Sequence, residues 1–283
     1  MKKTLKKVLA ITLVIATVLA ISACGGDDGE KSVVIAIPND TTNETRALAL
    51  LEAQGLITLP ESTDTTVTPR DIVDNPHNIE FKEVEAAQLP SILQDVDYAV
   101  INSNYAIGAG ITPFVTEGTD VSYPNIIAVK EGNEATAKIK ALIAAVNSQA
   151  VEDFLNETYK GAIVSDIKNP GDGYDASVNY DELQGETIKV AASPTPHADI
   201  LAAAKEVLAA KGVTLEIQEF TDYVFPNNVV EDGTVDANYF QHVPYLEDFN
   251  KENGTHIVSV LEVHHEPMGI YSDKYTDLSA INQ

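Results

Sequence analysis

From Val33 onward, apolar positions fall into two alternating rhythms. Val33-Val34-Ile35-Ala36-Ile37 is an unbroken apolar run rich in β-branched residues, the pattern of a strand covered on both faces. Pro38-Asn39-Asp40 breaks it. Thr41, Thr42 and Asn43 offer helix N-caps, and residues 44–54 read as a helix ended by Gly55. Residues 79–84 alternate as a strand, 86–95 read as helical, and Tyr98-Ala99-Val100-Ile101 is another buried strand. A further strand is expected at 125–129, and one or two helices over 135–155.

Residues 169–186 break the rhythm. Asn169-Pro170-Gly171-Asp172-Gly173-Tyr174 and the polar run after it read as a linker. Strand and helix signals then resume, with a strand at 187–192, a loop at Pro194 and Pro196, and an amphipathic helix over 198–211. In that helix Ile200, Leu201, Ala204, Val207 and Leu208 share one face. Gly212 ends it and residues 215–220 alternate as a strand. This βαβ rhythm implies α/β architecture with mostly parallel sheets.

The first 24 residues follow a different logic. Lys2, Lys3, Lys6 and Lys7 precede an apolar stretch, Val8 to Ile21, that is short for a bilayer span. Small residues then lead to Cys24, and Ile21-Ser22-Ala23-Cys24 resembles a bacterial lipobox. Residues 1–23 are expected to be a lipoprotein signal peptide and 24–30 a flexible tether. Cleavage before Cys24 frees a thiol and an amine for acyl chains, and two or more chains anchor stably. The chain is therefore expected at the cell membrane, lipid-anchored on the extracytoplasmic side.

Composition narrows the function. Among 283 residues, 18 Lys and Arg stand against 43 Asp and Glu, a net charge of −25 that would repel a polyanion and excludes a nucleic-acid partner. One Cys leaves no intramolecular disulfide and no Cys-based metal cluster. Nucleophile-elbow, zinc-protease and phosphate-loop motifs are missing, so no enzyme, cofactor or metal is implied. His264 and His265 are adjacent and point to opposite faces of a strand, so they do not share a metal.

Three segments read as binding loops. Residues 38–46 join a strand end to a helix N-terminus, where an anion is favoured. There Arg46 either clamps a carboxylate or pairs at the surface with Glu44 or Asp40. Tyr223, Phe240, His242 and Tyr245 cluster aromatics beside polar groups in a chain with 6% aromatics, which describes either an amphipathic pocket or the filling of one lobe. Asn102 and Asn125 flank strands, where Asn either brackets a polar ligand or forms a turn.

Together these stretches resemble the methionine-binding lipoproteins of ABC importers, the MetQ/NlpA family. The matching segments are VAASPTPHADIL, FTDYVFPNNVVEDGTVDANYFQHVPYL, VHHEPMGIYSDK, VIAIPNDTTNETRALALL, VEAAQLPSILQDVDYAVINSNYA and YPNIIAVKEGN. The resemblance implies a two-lobed, periplasmic-binding-protein-like (type II) fold that closes over a free amino acid. It implies that Tyr223, Phe240 and His242 line the pocket, Arg46 clamps the carboxylate, and Asn102 and Asn125 hold polar ends. A methionine-related ligand, a permease and its ATPase are the implied partners. The alternative is a rearranged surface lipoprotein that binds no ligand and serves a structural or interaction role.

In the family, the block beginning at Thr187 comes first and the block beginning at Ser32 follows it. Here the blocks are exchanged, which implies a circular permutant. The expected lobes are 31–120, the family's second domain, and 121–283, its first, with the linker 169–186 inside the latter. One covalent hinge is expected, near residues 103–125.

Overall fold

The buried parallel strands β1, β3 and β7 coincide with apolar runs, β1 ending at Pro38 and β3 just before Asn102, and the strands form two sheets. A computed structural model describes residues 32–61, 66–118 and 123–281; the signal peptide, tether and Cys24 lie outside them. In chain order the elements are β1 (Val34–Pro38), α1 (Thr41–Ala53), β2 (Glu80–Val84), α2 (Leu89–Ile92), β3 (Tyr98–Ile101), α3 (Ser103–Ala109) and β4 (Val115–Thr116). Then come β5 (Pro124–Lys130), α4 (Ala137–Val146), α5 (Gln149–Tyr159), β6 (Val164–Ser165), β7 (Thr187–Ala192), α6 (Asp199–Ala209) and β8 (Thr214–Glu219). The chain closes with α7 (Phe225–Glu231), β9 (Ala237–His242), α8 (Val243–Asn253), β10 (Ile257–His265) and β11 (Gly269–Tyr271).

The first sheet has the order β2-β1-β3-β11-β4 and the second β6-β10-β5-β9-β7-β8. They repeat one plan. β1 lies parallel to β2 and β3, as β7 does to β8 and β9. An antiparallel strand is added in each case by chain arriving from the other lobe: β11 beside β3 and β5 beside β9. The result is an α/β, two-lobed fold whose sheets are mixed rather than mostly parallel.

That plan corrects the expected lobe boundaries. The chain does not stay in the second lobe to its end. After β10 it crosses at Glu266-Pro267, and β11 inserts between β3 and β4. Met268, Ile270, Tyr271 and Ile281 are buried in the first lobe's core, so burial of this apolar run drives the return. Gly269 lets it fit, because a Cβ there would meet Pro113 Cβ at 2.7 Å. Two chain segments therefore join the lobes, one between β4 and β5 and one between β10 and β11, where a single hinge was expected.

Residues 169–186 are not a loose linker. Gly171 N–H donates to the Asn147 carbonyl at 3.0 Å, Val178 and Leu183 are buried in the second lobe's core, and Lys211 lies 4.3 Å over the Tyr174 ring. Two apolar residues spaced among polar ones suffice to dock the segment. The expected helix over 86–95 is broken into a 3-10 turn, α2 and a second 3-10 turn, with Pro90 inside it. The α1 N-cap is Asp40 rather than Thr41, Thr42 or Asn43: its carboxylate accepts from Asn43 N–H at 3.0 Å.

Candidate functional site

All six residues singled out in the sequence, Arg46, Asn102, Asn125, Tyr223, Phe240 and His242, line one pocket between the two sheets. The strand ends explain why. β1, β3, β7 and β9 point their C-terminal ends at the cleft, where ligand sites of α/β sheets form. The first two turns of α1 supply Asn43 and Arg46, the end of β3 Asn102, the turn after β7 His197, and the end of β9 Phe240 and His242. The two crossovers supply Asn125, entering β5, and Glu266, leaving β10, and the loop before α7 supplies Tyr223.

Arg46 is 6% exposed and is not a surface pair for Glu44 or Asp40. Its Nε donates to Glu117 Oε1 at 2.8 Å and its Nη2 to Glu117 Oε2 at 2.6 Å and to the Glu266 carbonyl at 2.7 Å. The Tyr123 ring lies 4.5 Å from the guanidinium carbon. Among the described residues Nη1 has no hydrogen-bond partner, which leaves one N–H edge of a fixed fork for a carboxylate.

His242 caps α8, its Nδ1 accepting from Tyr245 N–H at 3.4 Å. Burial pushes its pKa down to about 3, with Arg46 adding to the effect. The ring is therefore neutral, and its proton sits on Nε2 as a second donor. Asn102 opens α3 without capping it. Its Nδ2 donates instead to Asn43 Oδ1 at 2.8 Å, and its Oδ1 is buried without a partner. Asn125 Oδ1 is bonded to His197 Nε2 at 3.0 Å, which leaves its Nδ2 as a further donor. Neither Asn is merely a turn former.

One wall is aromatic. Phe240 lies 5.8 Å from Tyr223 and 6.0 Å from Tyr245, ring centre to ring centre. The Tyr245 hydroxyl donates to the Tyr223 carbonyl at 2.9 Å. The same rings serve as pocket wall and lobe filling. Three bonds tie the lobes at the mouth: Tyr223 hydroxyl to Asn104 Oδ1 at 2.7 Å, Tyr105 hydroxyl to the Thr221 carbonyl at 3.0 Å, and Thr42 hydroxyl to Asp248 Oδ2 at 2.7 Å. A pocket with donors at one end, an orphaned acceptor beside them and an aromatic wall suits a small zwitterion with an apolar side chain.

Sequence reasoning did not single out Ser103, Asn104, His197, Gln241 or Glu266. His197 and Glu266 are buried polar residues in stretches that hold other polar positions, PTPHADIL and HHEPMGI, so no local contrast marked them. His264 and His265 do face apart. His265 pairs with Asp166 at 2.9 Å, while His264 is fully buried. His197, His264 and Glu266 have ligating atoms within 4.8 Å of one another and are the residues that could hold a metal ion. In this structure hydrogen bonds engage the facing atoms: His264 Nε2 with Glu266 Oε1 at 2.8 Å, and His197 Nε2 with Asn125.

The membrane lipoprotein TpN32 of Treponema pallidum is 42% identical over 142 residues, covering 49% of this chain and 53% of that protein. A probable D-methionine-binding lipoprotein MetQ of Pasteurella multocida is 36% identical over 139 residues, covering 48% and 50%. A nutrient-binding protein from Burkholderia cenocepacia, solved bound to methionine, has 38% identity and a TM-score of 0.45 over 48% of this chain and 60% of that one. The chain spans about half the length of the curated relatives it matches. Among the described residues no helix is long and apolar enough to cross a membrane. The NlpA lipoprotein family model matches residues 27–167 and 188–283, and the chain belongs to that family.

Proposed function

We propose that this protein is the extracytoplasmic substrate-binding lipoprotein of an ABC importer, anchored through Cys24, and that it binds methionine or a close analogue between its lobes. The observation that carries this reading is that Arg46, His242 and Asn125 line one pocket with Asn102, whose buried Oδ1 has no partner, beside an aromatic wall. Donors suit a carboxylate, the acceptor an ammonium, and the aromatic rings a thioether chain. The names of the relatives support methionine as the ligand. The role is binding rather than turnover, with a membrane permease and its ATPase as partners.

The circular permutation belongs to the same proposal. The family match comes in two stretches, and matches to relatives cover about half of each chain, as an exchanged block order leaves for a collinear comparison. Because two crossovers join the lobes, closure remains hinged on both.

Calorimetric titration of L-methionine into ligand-stripped, refolded protein tests the reading. Sub-micromolar one-to-one binding is expected. A folded chain that gives no heat with methionine would overturn it.

A further inference from the structure

Among the described residues, one group of three ligating side chains meets in space. His197 comes from the turn after β7, His264 from the end of β10 and Glu266 from the β10–β11 crossover, and their ligating atoms all lie within 4.8 Å of one another. The three are 1%, 0% and 6% exposed, so their polar atoms depend on protein groups or on something bound. Glu266 Oε1 lies 2.8 Å from His264 Nε2 and 3.4 Å from His197 Nε2. Asn125 brings a fourth donor atom, its Oδ1 3.0 Å from His197 Nε2.

These spacings suit a small cation. Bonds of about 2.0–2.2 Å in a tetrahedral site hold neighbouring ligand atoms about 3.3–3.5 Å apart. The edge of 3.4 Å already has that length, and those of 2.8 and 3.0 Å reach it by opening about 0.3–0.7 Å. The groups behind the rings fit as well. His264 Nδ1 is bonded to the Tyr239 hydroxyl, the kind of contact that orients a metal-bound imidazole. His197 Nδ1 is buried without a partner. It is an acceptor without a donor when Nε2 holds the ring proton, and a donor without an acceptor when Nε2 holds a metal. Metal binding therefore adds no orphan there. His197, Asn125 and Glu266 line the pocket, which gives an ion its route, and the net charge of −25 favours the approach of a cation.

We infer that His197, His264 and Glu266 bind a divalent transition-metal ion through the two Nε2 atoms and the carboxylate, with Asn125 Oδ1 completing a four-coordinate site. On binding, each ring carries its proton on Nδ1, and Tyr239 is the positioning residue that receives the one from His264. Two imidazoles, a carboxylate and an amide oxygen suit zinc, whereas calcium and magnesium take oxygen ligands. The site stands apart from the amino-acid reading, since no atom of a bound amino acid is needed to complete it.

The test is zinc chloride titrated calorimetrically into the detergent-solubilised full chain, refolded free of ligand and cleared of metal with a chelator. Bound zinc is counted by mass spectrometry after gel filtration. One equivalent is expected on the wild type, undisturbed by equal concentrations of calcium or magnesium. His264→Ala and Glu266→Gln are expected to weaken it by about 100-fold or more, and Tyr239→Phe, which removes only the group that orients His264, by about 10–100-fold. His256 pairs with Glu231 at the surface, 3.6 Å away, and is the place for an adventitious ion; His256→Ala is expected to leave the equivalent in place. Cobalt(II) on the wild type, where no variant has to fold, is expected to give the intense visible bands of a four-coordinate site. A folded wild type that holds no equivalent of zinc would overturn the inference. So would zinc that persists in folded Glu266→Gln or departs with His256→Ala. None of these results bears on the amino-acid reading, which the methionine titration decides by itself.

Discussion

Arg46 and Glu117 meet through parallel hydrogen bonds, Nε to Oε1 at 2.8 Å and Nη2 to Oε2 at 2.6 Å, with both side chains buried. Glu117 also accepts from Met268 N–H at 2.7 Å. One carboxylate thus fixes the guanidinium from α1 and the first residues of the returning strand β11. The arginine reaches the pocket already oriented, so less freedom is lost when a ligand binds.

The pair separates two effects that are otherwise confounded. Arg46→Ala is expected to weaken methionine binding by about 2–5 kcal/mol, the range for truncating a buried charged partner. Glu117→Ala leaves a buried guanidinium uncompensated and is expected to cost about 3–5 kcal/mol of folding stability. Calorimetry reads the first and urea unfolding the second. Unchanged affinity in Arg46→Ala would remove the arginine from the carboxylate site.

The central strands were legible in the sequence because burial on both faces writes a continuous apolar run, and the edge strands β2 and β8 were legible from alternation. The site was legible for a related reason. Asn102 and His242 are polar residues at strand ends, where parallel strands open into a cleft, and Arg46 lies on the helix that follows β1. Long-range pairing was less accessible. Nothing local says that Gly269-Ile270-Tyr271 leaves one sheet for the other, because a strand's partner is set by the apolar face it must cover. Glu117 was equally hidden: its role depends on Arg46, 71 positions away. Residues 169–186 read as a linker because composition registers polarity, whereas two docked residues, Val178 and Leu183, decide the packing.

Glu44 gives stability a pH dependence of definite sign. It is buried on α1 beside Glu83, and burial together with that like-charged neighbour raises its pKa to about 7. The folded state holds this proton more tightly than the unfolded chain, where the group titrates near 4.5. Its contribution is fully present below that pH and is lost as the pH rises through about 7. Glu44→Gln is therefore expected to match the wild type in acid and to exceed it by about 1–3 kcal/mol at alkaline pH. Urea unfolding across the two limits checks this, and a gain of equal size at both would rule out the titration.

Gly173 tests whether the segment between α5 and β7 is docked. Its φ is +91°, and a Cβ there would meet Val207 Cγ1 on α6 at 2.3 Å. Gly173→Ala is expected to destabilise the protein by about 1–3 kcal/mol through strain and displacement of the segment. Gly171→Ala, where the nearest atom is 3.9 Å away and φ is not positive, is expected to be tolerated. Thermal melts of the two variants side by side decide it; equal melting points would mean that the segment is loosely held.

The chain ends bear on the permutation. Val33 and Ile281 both pack against the core cluster of the first lobe, so the two ends of the described body belong to the same lobe. Joining residue 281 to residue 33 by a short flexible linker closes a small loop at little entropic cost. Opening the chain between Ala176 and Ser177, both exposed, then gives the block order that the proposed permutation assigns to the family. Both crossovers and every residue lining the cleft keep their neighbours in that rearranged chain. It is expected to fold with a stability within about 1–2 kcal/mol of the parent and to bind methionine with closely similar affinity. Urea unfolding and calorimetry measure the two quantities. A rearranged chain that folds yet binds at least tenfold more weakly would show that the present order of blocks, and not only the pair of hinges, shapes the closed cleft.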